Sequence, residues 1–108
     1  MKSQIAQTRM GPIEYTLTGN GPVLLVCHGT SEDCYSTHAF ECLLEAGFSL
    51  LLPSRPGYGH TPLDVGRSNV QAAEALIALL DCLNIQTCSV IAVSGGGPTG
   101  IALAANHP

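Results

Sequence analysis

The sequence predicts an α/β fold: a mostly parallel sheet with flanking helices. Three observations carry this. A continuous apolar run, Val23-Leu24-Leu25-Val26-Cys27, has the unbroken hydrophobicity of a strand buried on both faces, and residues 48–52 read as another buried strand. Helix-like stretches alternate with the later strands, and such alternation implies parallel pairing through right-handed crossovers. Finally, at 108 residues with 45% hydrophobic and only 11% charged residues, the chain is rich in core and poor in solvating surface. We therefore treat residues 1–108 as part of one domain, with more core than so short a chain needs for itself.

Two β-prone segments open the chain, residues 4–9 and 13–18, with Gly11-Pro12 expected as the turn between them. Gly19-Asn20-Gly21-Pro22 punctuates the approach to the first buried strand, Val23–Cys27. A polar loop, 28–33, follows. Ser36 is the expected N-cap of a helix over 37–46, which carries Phe40, Leu43 and Leu44 on one face and stops at Gly47. Residues 48–52 form the next strand, halted by Pro53, and 54–62 is a loop rich in glycine and proline. The longest helix starts at Ser68, with Gln71 at capping-box spacing. Its stripe is Val70, Ala73, Leu76, Ile77, Leu80 and Leu83. Residues 87–93 are the last strand, followed by a helix-like tail from Thr99 to Asn106. The expected order is β-β-β-α-β-α-β-α.

Charge and cysteine content narrow the function. A net charge of −4 with four Lys+Arg leaves no basic patch for nucleic acid or an anionic membrane. No apolar stretch approaches the roughly 20 residues that span a bilayer, and Met1-Lys2-Ser3-Gln4 lacks the apolar core of a secretory signal. Five cysteines, Cys27, Cys34, Cys42, Cys82 and Cys88, are an odd number without a C-x-x-C pair, so free thiols in a reducing cytoplasm are expected. A zinc site from Cys27, His28, Cys34 and His38 matches no established ligand spacing.

Chemistry concentrates at the last strand. Ala92-Val93-Ser94-Gly95-Gly96 is a small-x-Ser-x-small pattern at a strand-to-helix junction. Such a turn holds a hydroxyl out of the sheet in a strained backbone, and only small neighbours let strand and helix pack that closely. Two further loops follow buried strands and emerge at the same carboxyl edge, where sites form: Cys27-His28-Gly29-Thr30 and Ser54-Arg55-Pro56-Gly57-Tyr58-Gly59-His60. The rival reading of Gly95, Gly97 and Gly100 as a G-x-G-x-x-G dinucleotide fingerprint places the motif in the last unit, with Pro98 inside it and no acidic residue about 20 positions on.

The three loops together resemble the α/β-hydrolase superfamily, in its serine-nucleophile, esterase- and peptidase-like branch. The resemblance covers the amino-terminal half of that fold, its first five strands and three helices. It implies Ser94 as the nucleophile and the N–H groups of Gly95 and Thr30 as the oxyanion hole. It implies His28 and Gly29 as residues that shape the loop, with His28 not the base. It calls for no cofactor or metal, and for a small acyl substrate: an ester, thioester, lactone or amide. Serine excludes the aspartate-ester route of dehalogenases and epoxide hydrolases. The sequence departs from the family at Ala92, where glycine is usual, at Ser54, where many members have aspartate, and at His60. The family's acid and base follow the nucleophile in the chain. Of these 108 residues only His107 is a histidine beyond Ser94, well over about 10 Å along the helix. The chain is thus expected to be an incomplete hydrolase domain, inactive alone, that self-associates or pairs with a complementing carboxyl-terminal half.

Overall fold

The computed structural model describes residues 2–37 and 40–108. Its elements are β1 (Gln4–Thr8), β2 (Gly11–Thr18), β3 (Val23–Cys27), α1 (Glu41–Glu45), β4 (Ser49–Pro53), α2 (Asn69–Cys82), β5 (Ser89–Ala92) and α3 (Gly97–Asn106). They form one five-stranded mixed sheet in the order β1-β2-β4-β3-β5. Strands β4, β3 and β5 run parallel, while β1 and β2 add an antiparallel hairpin on the β4 side. The element order is the one the sequence predicts.

Alternation within the apolar runs divides the core between the two faces of the sheet. Leu25, Cys27 and Leu51 face one way and join Leu76, Leu79 and Leu80 of α2 and Leu103 of α3. Leu24, Val26, Leu50 and Leu52 face the other way and meet Phe40, Leu43 and Leu44 beside α1. Each fully buried leucine contributes about 1.5–3 kcal/mol of transfer free energy, which makes β3 and β4 the centre of the fold. Strand β5 forms an edge among the described residues.

Several boundaries move for identifiable reasons. The first hairpin turns at Arg9-Met10, not at Gly11-Pro12, because Thr8 pairs with Gly11 across a two-residue loop. Thr8 Oγ1 accepts the Met10 N–H (3.1 Å) and donates to the Gly11 carbonyl (2.8 Å), closing the turn from inside the strand. The helix expected over 37–46 is described only as α1, since His38 and Ala39 lie outside the described residues. Ser36 does not cap it. The N-cap position is Phe40, and Ser36 Oγ instead accepts the Asp33 N–H at 3.2 Å. At the other end Gly47, at φ +98°, forms the expected stop. Phe48 N–H is drawn back to Leu43 O (3.1 Å), so β4 begins at Ser49.

Helix α2 carries the expected capping box: Ser68 Oγ accepts the Gln71 N–H (3.1 Å) and Gln71 Oε1 accepts the Ser68 N–H (3.3 Å). Its buried arc centres on Ala72, Ala73, Ala75, Leu76, Ala78, Leu79 and Leu80, where the alanines admit the helix close to the sheet. Val70, expected on this stripe, is 54% exposed. Strand β5 is shorter than the expected 87–93 because its pairing with β3 starts only at Leu24 opposite Ser89. The five cysteines are free, as expected. Among the described residues no helix is long and apolar enough to cross a membrane.

The β5 edge leaves Val90 41% exposed and Ile101 of α3 73% exposed. An apolar, uncharged strand edge is a template for pairing with another chain. The isolated chain is expected to self-associate in light-scattering chromatography, and Val90→Lys is expected to shift it toward monomer. A monomeric parent with a cooperative thermal transition would contradict this.

Candidate active site at the carboxyl edge of the sheet

The carboxyl ends of β3, β4 and β5 bring the three loops together. Chain direction leaves Val93 still tied to the sheet, its N–H donating to Cys27 O at 2.9 Å. The next residue, Ser94, turns into a left-handed conformation, φ +46°. That region is uncommon for a residue with a side chain and stores about 1–3 kcal/mol of strain. Residues Ser94–Gly96 form a single 3-10 turn, and α3 follows from Gly97. Ser94 is exposed at the apex.

Two contacts hold the turn against the sheet. Any Cβ at Gly96 would collide with the carbonyl oxygens of Cys27 and His28 at the end of β3. One at Gly100 would lie 2.6 Å from Ala92 Cβ. The small residues at 92, 96 and 100 are thus the condition for β5, the turn and α3 to sit this close together. This packing accounts for Gly100 within the G-x-G-x-x-G spacing.

Gly29 and Thr30 of the first loop face the turn. A Cβ on Gly29 would lie 3.7 Å from Ser94 Cβ, and one on Gly95 would lie 3.1 Å from Thr30 N and 3.3 Å from a terminal nitrogen of Arg55. Ser94, Gly95, Gly29 and Thr30 are therefore one cluster. Gly29 N–H is fixed by Glu32 Oε1 at 2.8 Å.

His28 is 1% exposed and fully engaged. Its Nε2 accepts the Arg55 N–H at 2.8 Å, which places the ring proton on Nδ1, 2.8 Å from Gly29 O. Arg55 Nε also donates to His28 O at 2.8 Å. Tyr58 meets the imidazole edge-on, with centroids 5.0 Å apart, and its ring lies 4.8 Å from the Arg55 guanidinium carbon. Burial pulls the His28 pKa below its ordinary value, and the Arg55 charge adds to this against the Gly29 hydrogen bond and the Glu32 and Asp33 charges. With both nitrogens committed, His28 is a structural linker between two loops. His60 is exposed, and its N–H is held by Glu14 Oε1. His107 Nε2 lies 2.7 Å from Glu74 Oε1, an exposed pair at the far end of α3. Among the described residues no histidine is hydrogen-bonded to Ser94.

The buried thiols are chemically quiet. Burial pushes Cys27 up to about 11 and Cys34 up to about 11, leaving both protonated at neutral pH. One participant escaped sequence reasoning: Glu14 of β2, a buried carboxylate that reaches both neighbouring loops. Its signal was a lone acidic residue in a strand, Gly11–Thr18, that carries no other charge.

Comparison with known proteins places this arrangement. The model of the alpha/beta hydrolase fold family matches residues 22–108. A Bacillus subtilis (strain 168) protein, the uncharacterised hydrolase YcgS, is 44% identical over 98 residues, covering 91% of this chain and 34% of its own length. An alpha/beta hydrolase fold protein from Nakamurella multipartita superposes with a TM-score of 0.92 at 34% identity, over 99% of this chain and 37% of its own. A Vigna radiata epoxide hydrolase, solved as a point variant, gives 0.84 at 27% identity, over 99% and 35%. The chain spans about a third of the length of these relatives.

Two outcomes are expected. Gly96→Ala forces the turn off the end of β3 and lowers stability by about 1–3 kcal/mol in urea unfolding. His28 protonates more readily unfolded, near about pH 6.5, than folded. Stability is therefore full above that pH and declines as pH falls below it toward the folded value. His28→Gln removes this part of the pH dependence, read by comparing unfolding midpoints between pH 8 and 5.

Proposed function

The chain belongs to the alpha/beta hydrolase fold family, and from that premise we propose that it carries the nucleophile and oxyanion hole of a serine hydrolase for small acyl substrates. The single observation behind this reading is Ser94 itself: an exposed hydroxyl held at φ +46° on a strand-to-helix turn. Strain of that kind at a non-glycine residue is characteristic of an activated position.

In the proposed reaction, Ser94 Oγ attacks the acyl carbon as its proton passes to a histidine base. The carbonyl oxygen becomes an oxyanion, and the N–H groups of Gly95 and Thr30 receive it. Two preorganised donors matter here, because loss of one typically costs about 10²–10³ in rate. The Arg55 guanidinium beside Gly95 adds positive potential at the same place. Collapse of the tetrahedral adduct expels the alcohol, thiol or amine with the proton, and water then hydrolyses the acyl-Ser94 ester. No described histidine is hydrogen-bonded to Ser94, and the proposal takes the base and its acid partner from outside the described residues. His28, Gly29 and the Arg55–Tyr58 contact shape the oxyanion loop.

Epoxide opening, the chemistry the Vigna radiata relative is named for, does not carry over to a serine nucleophile. A carboxylate nucleophile opens an epoxide to an ester that water can cleave. Serine would give an ether, which water does not cleave under these conditions. Ester, thioester, lactone or amide substrates fit the hydroxyl.

Turnover of nitrophenyl acetate tests the proposal, with Cys42 and Cys82, the exposed thiols, blocked. The 108-residue chain and its Ser94→Ala variant are expected to react equally, since serine without a base is a weak nucleophile. When the chain is fused to the portion of the Bacillus relative that it does not match, Ser94→Ala is expected to lower turnover at least about 10³-fold. Equal rates in an active fusion would refute the assignment.

A further inference from the structure

Glu14 is 2% exposed, and no Lys, Arg or His side chain pairs with it among the described residues. A buried carboxylate without a counter-ion persists only where hydrogen bonds replace its hydration. Here Oε1 accepts from Ser54 Oγ (3.0 Å) and from the His60 N–H (2.9 Å), and Oε2 accepts from Ser3 Oγ (3.0 Å). Ser54 Oγ in turn accepts the Cys34 N–H at 3.1 Å. The Glu14 main chain adds two more bonds, donating to Thr61 Oγ1 (2.9 Å) and accepting the Ser54 N–H (2.8 Å). Burial alone would raise the carboxyl pKa. The bonds from His60, Ser54, Ser3 and Cys34 outweigh it and hold the group below its ordinary value, so it is ionised at neutral pH.

One residue of β2 thus grips the loop after β3 at Cys34 and the loop after β4 at both ends. Arg55 is the next residue after Ser54, and it alone supplies both bonds to His28 from this loop. We propose that Glu14 is a positioning residue whose ionised carboxylate, through Ser54 and the His60 amide, holds Arg55 and His28 in register with the Ser94 turn. The consequence for acyl transfer rests on the nucleophile reading of Ser94; the positioning does not.

The geometry also indicates how the role can be moved. Ser54 Oγ is 3.0 Å from Glu14 Oε1, so aspartate at 54 places a carboxylate in the same set of donors. The experiment follows the His28 pKa by imidazole C2 hydrogen exchange and the 54–61 amides by backbone exchange, both read by mass spectrometry on the full chain in any oligomeric state. Neither measurement involves Ser94 reactivity, so the hydrolase reading can fail its own test without deciding this one. In Glu14→Ala the His28 pKa is expected to rise toward about 6.5, and the 54–61 amides to exchange about 10–100-fold faster. Exchange in β3 and α2 should change less. Glu14→Gln is expected to show the same changes at smaller size, and Glu14→Ala/Ser54→Asp to reverse them. Arg55, Tyr58, Glu32 and Asp33, the groups around His28, are unchanged in every variant, so the shift reports their placement. Should Glu14→Ala not fold, recovery of folding in the double variant supports the proposal and Glu14→Gln carries the measurement. Wild-type behaviour at both probes in folded Glu14→Gln, exchange accelerated uniformly over the chain, or a double variant that restores nothing would overturn it.

Discussion

One close backbone approach governs the rest of the structure: the turn after β5 lies directly on the last carbonyls of β3, with no side chain between them at Gly96. That contact sets where α3 begins, and the Gly100–Ala92 contact sets how tightly α3 lies on β5. Between these two fixed points the chain must reverse within one 3-10 turn, and Ser94 absorbs the reversal in its positive φ. The strain is local and is repaid by packing on both sides, in keeping with how unfavourable backbone persists in native proteins. An exposed hydroxyl in a fixed direction is the result.

The other two loops are held by polar means. The loop after β3 is held near Ser94 by hydrogen bonds, since buried main-chain groups must be satisfied. His28, Arg55 and Tyr58 instead form a compact linker: imidazole to main-chain amide, guanidinium to main-chain carbonyl, and aromatic edge and face between them. Behind it, Glu14 closes the arrangement from β2. Such a network is stable only when every member is satisfied, and among the described residues no buried side-chain nitrogen or oxygen is left without a partner. Neutral His28 and ionised Glu14 follow from the same low-polarity setting, one losing a proton it cannot solvate and the other keeping a charge that donors surround.

Much of this was legible in the residues themselves. The order of elements, the span of β3, the capping box at Ser68 and the stop at Gly47 depend on neighbours a few positions apart, where propensity and hydrogen bonding act directly. The turn at Ser94 was readable for the same reason, since its small residues lie within a few positions of one another. A continuous apolar run marked β3 as buried on both faces, and 48–52 read as another buried strand; both lie at the centre of the core.

Tertiary structure decided what depends on partners distant in the chain. The hairpin turned at Arg9-Met10 because strand register outranks the turn preference of Gly11-Pro12. Ser36 satisfied Asp33 instead of a helix end, and Val70 faced solvent because the alanines of α2 gave the sheet a closer surface. The departure at Ser54 could be seen in the sequence, but the carboxylate beside it comes from Glu14, forty positions earlier. Local rules cannot pair residues so far apart. Only the pairing of β2 with β4 brings them within hydrogen-bonding distance.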